Sequence, residues 1–114
     1  MTALAPHLSS FLLEYLPRER RMSPHTCDAY AYSFQLLICF AADRLHVKPS
    51  QFEIEQLDVP LILAFLEHIE SARGNSARTR NARLAAIHSF FHYLAEMEPR
   101  CLAQAESILS VPFK

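Results

Sequence analysis

Apolar residues fall into four runs with helical spacing. Between Asn75 and Leu94 the chain reads NSARTRNARLAAIHSFFHYL, and Leu84, Ile87, Phe91 and Leu94 recur at i, i+3, i+7 and i+10, one face of a helix. Ser76, a short oxygen-bearing side chain ahead of this run, suits an N-cap, and the helix is expected to end near Met97 or Glu98, before Pro99. Upstream, Ser23-Pro24 predicts a helix start, and Tyr30, Phe34, Leu37, Ile38, Ala41 and Leu45 share a face up to about Leu45. Asp58-Val59-Pro60 opens another helix, with Ile62, Phe65, Leu66 and Ile69 as its stripe and Gly74 as a C-cap. Leu8, Phe11, Leu12 and Tyr15 predict a short first helix ended by Pro17. Pro99 to Leu109 reads as a short last helix, residues 46–59 as largely irregular, and Ser110 to Lys114 as an extended tail.

The fold class expected is all-α: a compact bundle of four helices plus a short fifth C-terminal helix, in one domain of 114 residues. A single glycine argues against a fold rich in hairpin turns. The expected core includes Phe34, Leu37, Ile38, Ile62, Leu66, Leu84, Ile87 and Phe91.

Charge changes the picture through its distribution. The net charge is −1, which by itself argues against nucleic acid. Pro49 to Ala72, however, carries Glu53, Glu55, Asp58, Glu67 and Glu70 and no Lys or Arg, whereas Arg73 to Ala95 carries Arg73, Arg78, Arg80 and Arg83 and no acid. Arginines at a helix N-terminus oppose the helix dipole, a cost that a bound polyanion offsets. A solvated polar face is the competing explanation of the same charges.

Candidate catalytic chemistry is sparse. Cys27, Cys39 and Cys101 fit neither a disulfide framework nor a zinc pattern. His88 and His92 are i, i+4, but H-S-F-F-H lacks the glutamate of the metalloprotease motif, and Glu67-His68 stands alone. One glycine cannot build a phosphate loop. No cofactor, metal or small-molecule substrate is expected. No apolar run reaches the ~20 residues of a bilayer span, and no signal peptide is visible, so the expectation is a cytoplasmic protein.

Two blocks together resemble a known family. The first is Ser23-x-x-Thr26-x-x-x-Tyr30-x-x-x-Phe34, followed by Leu37 and Phe40. The second is Ser76-x-x-Thr79-x-x-x-Arg83-Leu84-x-x-Ile87-x-x-Phe90-Phe91-x-Tyr93-Leu94. In that order, with Leu57-Asp58-Val59 between them and Val111-Pro112-x-Lys114 at the close, they resemble the N-terminal core-binding, SAM-like domain of tyrosine recombinases, the phage-integrase family. Two departures stand out. His88 lies where the family often has arginine or lysine, and Glu98-Pro99 lies where a glycine is common.

The resemblance implies a DNA-binding module of a site-specific recombinase, integrase or transposase, serving DNA integration and recombination. Such a module clamps duplex DNA opposite a separate catalytic domain, expected downstream of residue 114. It implies no catalytic residue in this stretch and, as partners, double-stranded DNA and other recombinase protomers in a tetrameric synaptic complex. The DNA face is expected on the starts of the second and fourth helices, side by side. His25, Thr26 and Tyr30 would come from one, and Arg73, Asn75, Ser76, Arg78, Thr79, Arg80, Arg83 and His88 from the other and its approach. Arg80 is expected to be an outward contact, and Arg83 to be partly packed. The alternative is a helical protein–protein interaction or dimerisation domain without DNA binding.

Overall fold

The computed structural model describes residues 1–114 and is all-helical, with five α-helices: α1 Leu4–Ser10, α2 Pro24–Leu45, α3 Val59–Ser71, α4 Ala77–Met97 and α5 Leu102–Leu109. The only β pairing is an isolated antiparallel bridge between Ala3 and Glu53. The chain forms two compact units, Met1–Ile54 and Glu55–Lys114.

In the first unit α1 passes directly into a π-helical stretch, Phe11–Glu19, with Pro17 inside it. The first helix therefore starts earlier than Leu8 and is not ended by Pro17. The reason is the wider turn of this stretch, at whose end Arg20 N–H reaches back five residues to the Tyr15 carbonyl at 2.9 Å. A turn of that width moves the carbonyl that a proline ring would strike in an α-helix. Phe11 and Leu16 point inward, and Phe11 meets Phe34 of α2 edge-to-face at 6.3 Å between centroids. The ends of the unit are tied together: Leu4 N–H donates to the Phe52 carbonyl at 3.0 Å, and Ile54 N–H to the Thr2 carbonyl at 2.8 Å.

α2 has the expected bounds, and Phe34, Leu37 and Ala41 are buried along its stripe. Three expected stripe members differ. Tyr30 is half-buried near the helix start. Ile38 is half-buried because it lines an open apolar cavity of about 520 Å³ with Leu8, Leu12, Met22 and Ala31. Leu45 is exposed, at the last turn before His46 takes left-handed backbone (φ 55°).

In the second unit Asp58 caps α3 by accepting the Leu61 N–H at 3.0 Å. Leu61, Ile62, Phe65, Leu66 and Ile69 form its buried side. The helix closes over Gly74, whose φ of 67° is left-handed, and Asn75 N–H donates to the Ile69 carbonyl at 3.1 Å. Glycine suits this turn for its backbone and not for space, since an added Cβ would meet nothing within 4 Å. Leu84, Ile87, Phe90, Phe91 and Leu94 of α4 are fully buried and pack with α3 and α5. α5 contributes Ala105 and Ile108 to this core, flanked by Cys101 and Val111.

Candidate nucleic-acid interface

α2 and α4 begin with the same local device. Ser23 Oγ accepts the Thr26 N–H at 3.2 Å and donates to Thr26 Oγ1 at 3.0 Å. Ser76 Oγ accepts the Thr79 N–H at 3.3 Å and donates to Thr79 Oγ1 at 3.5 Å. A serine N-cap satisfies one orphan amide of the first turn and holds the helix start rigid. Neither first turn contains an acidic residue.

In the first unit His25 is exposed beside the cap, while Thr26 and Tyr30 are half-buried behind it. In the second unit Arg73, Ser76 and Arg78 are exposed, and Asn75, Thr79 and Arg83 are half-buried. Around the start of α4 the structure thus gathers an exposed basic group with rigid hydroxyls and amides.

Two expected contact residues are placed differently. Arg80 is 6% exposed. Its Nη1 donates to the Pro112 carbonyl at 3.0 Å and to Asn81 Oδ1 at 3.1 Å, and its Nε lies 3.6 Å from Glu70 Oε1. The expectation of an outward Arg80 is therefore corrected: its side chain is part of the packing of this unit. The signal was present in the periodicity. Arg80 lies four residues before Leu84 and extends the stripe Leu84, Ile87, Phe91, Leu94 by one turn. Where a core thins toward its rim, a long aliphatic stem can be packed while its guanidinium meets polar groups.

His88 is also turned inward. Its ring stands edge-on to Phe113 at 5.1 Å and hydrogen-bonds to the backbone of Ile108 and Val111. Its Nε2 is buried without a hydrogen-bond partner. Burial is the main cause that pushes its pKa below the ordinary histidine value of 6.5, with nearby His92 adding to the effect against the two backbone bonds.

The final residues are held by contacts that no sequence pattern announces. The tail is irregular as expected, but it is anchored, and Val111 is buried. Asn81 Nδ2 donates to the Lys114 carbonyl at 2.8 Å, and Lys114 N–H donates back to Asn81 Oδ1 at 3.0 Å. Lys114 Nζ meets Glu70 Oε1 at 2.7 Å. An asparagine five residues after a helix cap carries no pattern that announces such a clasp.

Comparison with known proteins adds the following. Residues 10–98 match the family described as phage integrase, N-terminal SAM-like domain. Two proteins of Sinorhizobium fredii named as integrase/recombinase, y4rC and y4rD, are 46% and 45% identical over 112 and 111 residues. These alignments cover 98% and 97% of this chain but 34% and 40% of the relatives. The tyrosine recombinase XerC of Caldanaerobacter subterraneus is 28% identical over 102 residues, covering 78% of this chain and 29% of that protein. No solved structure matches. The chain thus spans about a third of the length of the curated relatives it matches.

Proposed function

We propose, from the premise that this chain belongs to the phage integrase N-terminal SAM-like domain family, that it binds duplex DNA through the capped starts of α2 and α4. The module serves a larger tyrosine recombinase that performs integration or related strand exchange, and the catalytic groups lie outside these residues. The protomers work together in a tetrameric synaptic complex on paired DNA sites.

One observation carries the proposal: the start of α4 presents Arg73 and Arg78 at the surface, with Arg83 half-buried further along the helix and no acid in the first turn. Arginine forks and helix-start amides are both suited to phosphate oxygens. Arg78 and Arg73 are the direct phosphate contacts, with Arg83 reaching from further along the helix. His25 and Thr26 supply the contacts of α2, and Tyr30 donates its hydroxyl from behind them. Asn75, Ser76 and Thr79 place the backbone at the start of α4. Arg80 and His88 act on this face indirectly, by fixing α4 against the residues that follow it.

The test is a titration of duplex DNA at several salt concentrations. Binding that weakens steeply with salt, with a log–log slope that falls by ~0.9 for each arginine removed from Arg73 and Arg78, supports the proposal. Salt-independent association, or none, favours the interaction-domain alternative. Incubation with supercoiled plasmid should leave the DNA intact, since these residues bind without cutting.

A further inference from the structure

A groove of about 540 Å³ in the second unit is lined by Leu63, Glu67, Glu70, Ser71, Arg80 and Lys114. Glu70 Oε1 serves two cations there, Lys114 Nζ at 2.7 Å and Arg80 Nε at 3.6 Å. Arg80 is immobilised by burial and by its bonds to Pro112 and Asn81. Lys114 is fixed by its backbone, through both bonds to Asn81, while its side chain remains 57% exposed. Glu70 is itself about a quarter exposed, at 27%.

An exposed lysine–carboxylate pair in isolation contributes little, because two flexible side chains must be ordered to form it. Here that ordering is largely done by other contacts. The carboxylate is drawn toward a fixed guanidinium, and the lysine backbone is already anchored. Glu70 is also the last acid before the basic stretch that begins at Arg73 and runs without an acid to Ala95.

We infer that Glu70 is an internal counter-anion that competes with DNA phosphate for Lys114. It holds the ammonium where a phosphate oxygen would otherwise take it and so limits non-specific DNA binding by the basic end of α4. The inference deepens the DNA-binding reading and rests on it.

The experiment measures affinity for a labelled duplex of arbitrary sequence between 50 and 200 mM salt. The proteins are the wild type, Glu70→Gln, Lys114→Met and the double variant, each checked for folding by circular dichroism. Freeing one cation for phosphate should steepen the log–log slope of Glu70→Gln by ~0.9, an extra loss of about 3.5-fold across that salt range. Lys114→Met alone should keep the wild-type slope, and adding it to Glu70→Gln should restore that slope.

An unchanged slope in Glu70→Gln overturns the inference. So does an equal change with and without Lys114→Met, which would reflect simple loss of a negative charge. A shallower slope in Lys114→Met alone would show Lys114 already on phosphate, and this arm decides the matter if Glu70→Gln does not fold. A wild type with no salt-dependent binding overturns the DNA-binding reading and the inference together. Salt-dependent wild-type binding with a failed Glu70 arm overturns the inference only.

Discussion

The side-chain amide of Asn81 grips the backbone of Lys114 from both sides, donating to its carbonyl at 2.8 Å and accepting its N–H at 3.0 Å. The same Oδ1 receives Arg80 Nη1 at 3.1 Å, so one asparagine joins the buried arginine to the end of the chain. Asn81→Ala removes all three bonds, and for partly solvated groups the expected cost is about 1–2 kcal/mol. Hydrogen exchange at the Lys114 amide should accelerate. An unchanged rate would mean that Val111 and Phe113 hold the tail without it.

Arg80 and Arg78, two residues apart on α4, should separate stability from binding. Arg80→Ala empties a buried site and leaves the Pro112 carbonyl without its donor, so about 2–3 kcal/mol of stability should be lost. Arg78→Ala lies at an exposed position and should change stability by less than about 0.5 kcal/mol, while lowering the salt slope of DNA binding by ~0.9. Chemical denaturation and DNA titration of the two variants check both halves. Equal stability losses would undo the assignment of inward and outward faces.

His88 gives the second unit an acid sensitivity of known sign. Its folded pKa lies below the ordinary 6.5 because burial disfavours the imidazolium. The unfolded chain therefore takes up the proton first as pH falls. The stabilisation is present above pH 6.5, is lost progressively below it, and levels off once the folded form is protonated too. Urea midpoints measured from pH 7.5 to 5 should fall more steeply for the wild type than for His88→Gln. Parallel curves would assign the pH dependence to other groups.

Phe91 is fully buried in α4 and meets Phe90 edge-to-face at 5.6 Å. Phe91→Ala is expected to cost ~3–5 kcal/mol, through lost transfer energy and the cavity left behind. A loss below about 1 kcal/mol would place the ring at the surface and shift the register of the helix.

Deleting residues 99–114 should abolish cooperative folding of the second unit, because Cys101, Ala105, Ile108 and Val111 are buried in its core. Leu102, by contrast, is 46% exposed and free to meet another protein. Leu102→Ser should leave the unfolding midpoint nearly unchanged, so an effect on assembly of a full-length recombinase would be separable from folding.

Helix positions were legible in the sequence wherever a cap and a stripe agreed. Ser23, Asp58 and Ser76 each precede an apolar repeat, and each accepts the expected first-turn amide. Pro17 misled because its usual effect presumes α-helical pitch, and a π turn changes which carbonyl the ring faces. Arg80 misled because periodicity and charge pointed in opposite directions at one position. The stripe said inward, the arginine cluster said outward, and only Glu70 and Pro112, distant in sequence, decide between them. The tail clasp was invisible for the same reason: its partners are separated by 33 and 44 residues and carry no periodic signal.

The matched caps of α2 and α4 conceal an inequality in free amide donors. In α4 the N–H groups of Ala77 and Arg78 have no acceptor within the helix, because the cap takes Thr79 and the Ser76 carbonyl takes Arg80. In α2 the equivalent first position is Pro24, which has no N–H, and the cap and the Ser23 carbonyl take Thr26 and Cys27. Only His25 remains. One helix start can therefore chelate an oxyanion with two adjacent main-chain donors, whereas the other can offer a single one. Replacing Pro24 by alanine would add the missing donor without adding charge, turning a monodentate helix end into a bidentate one.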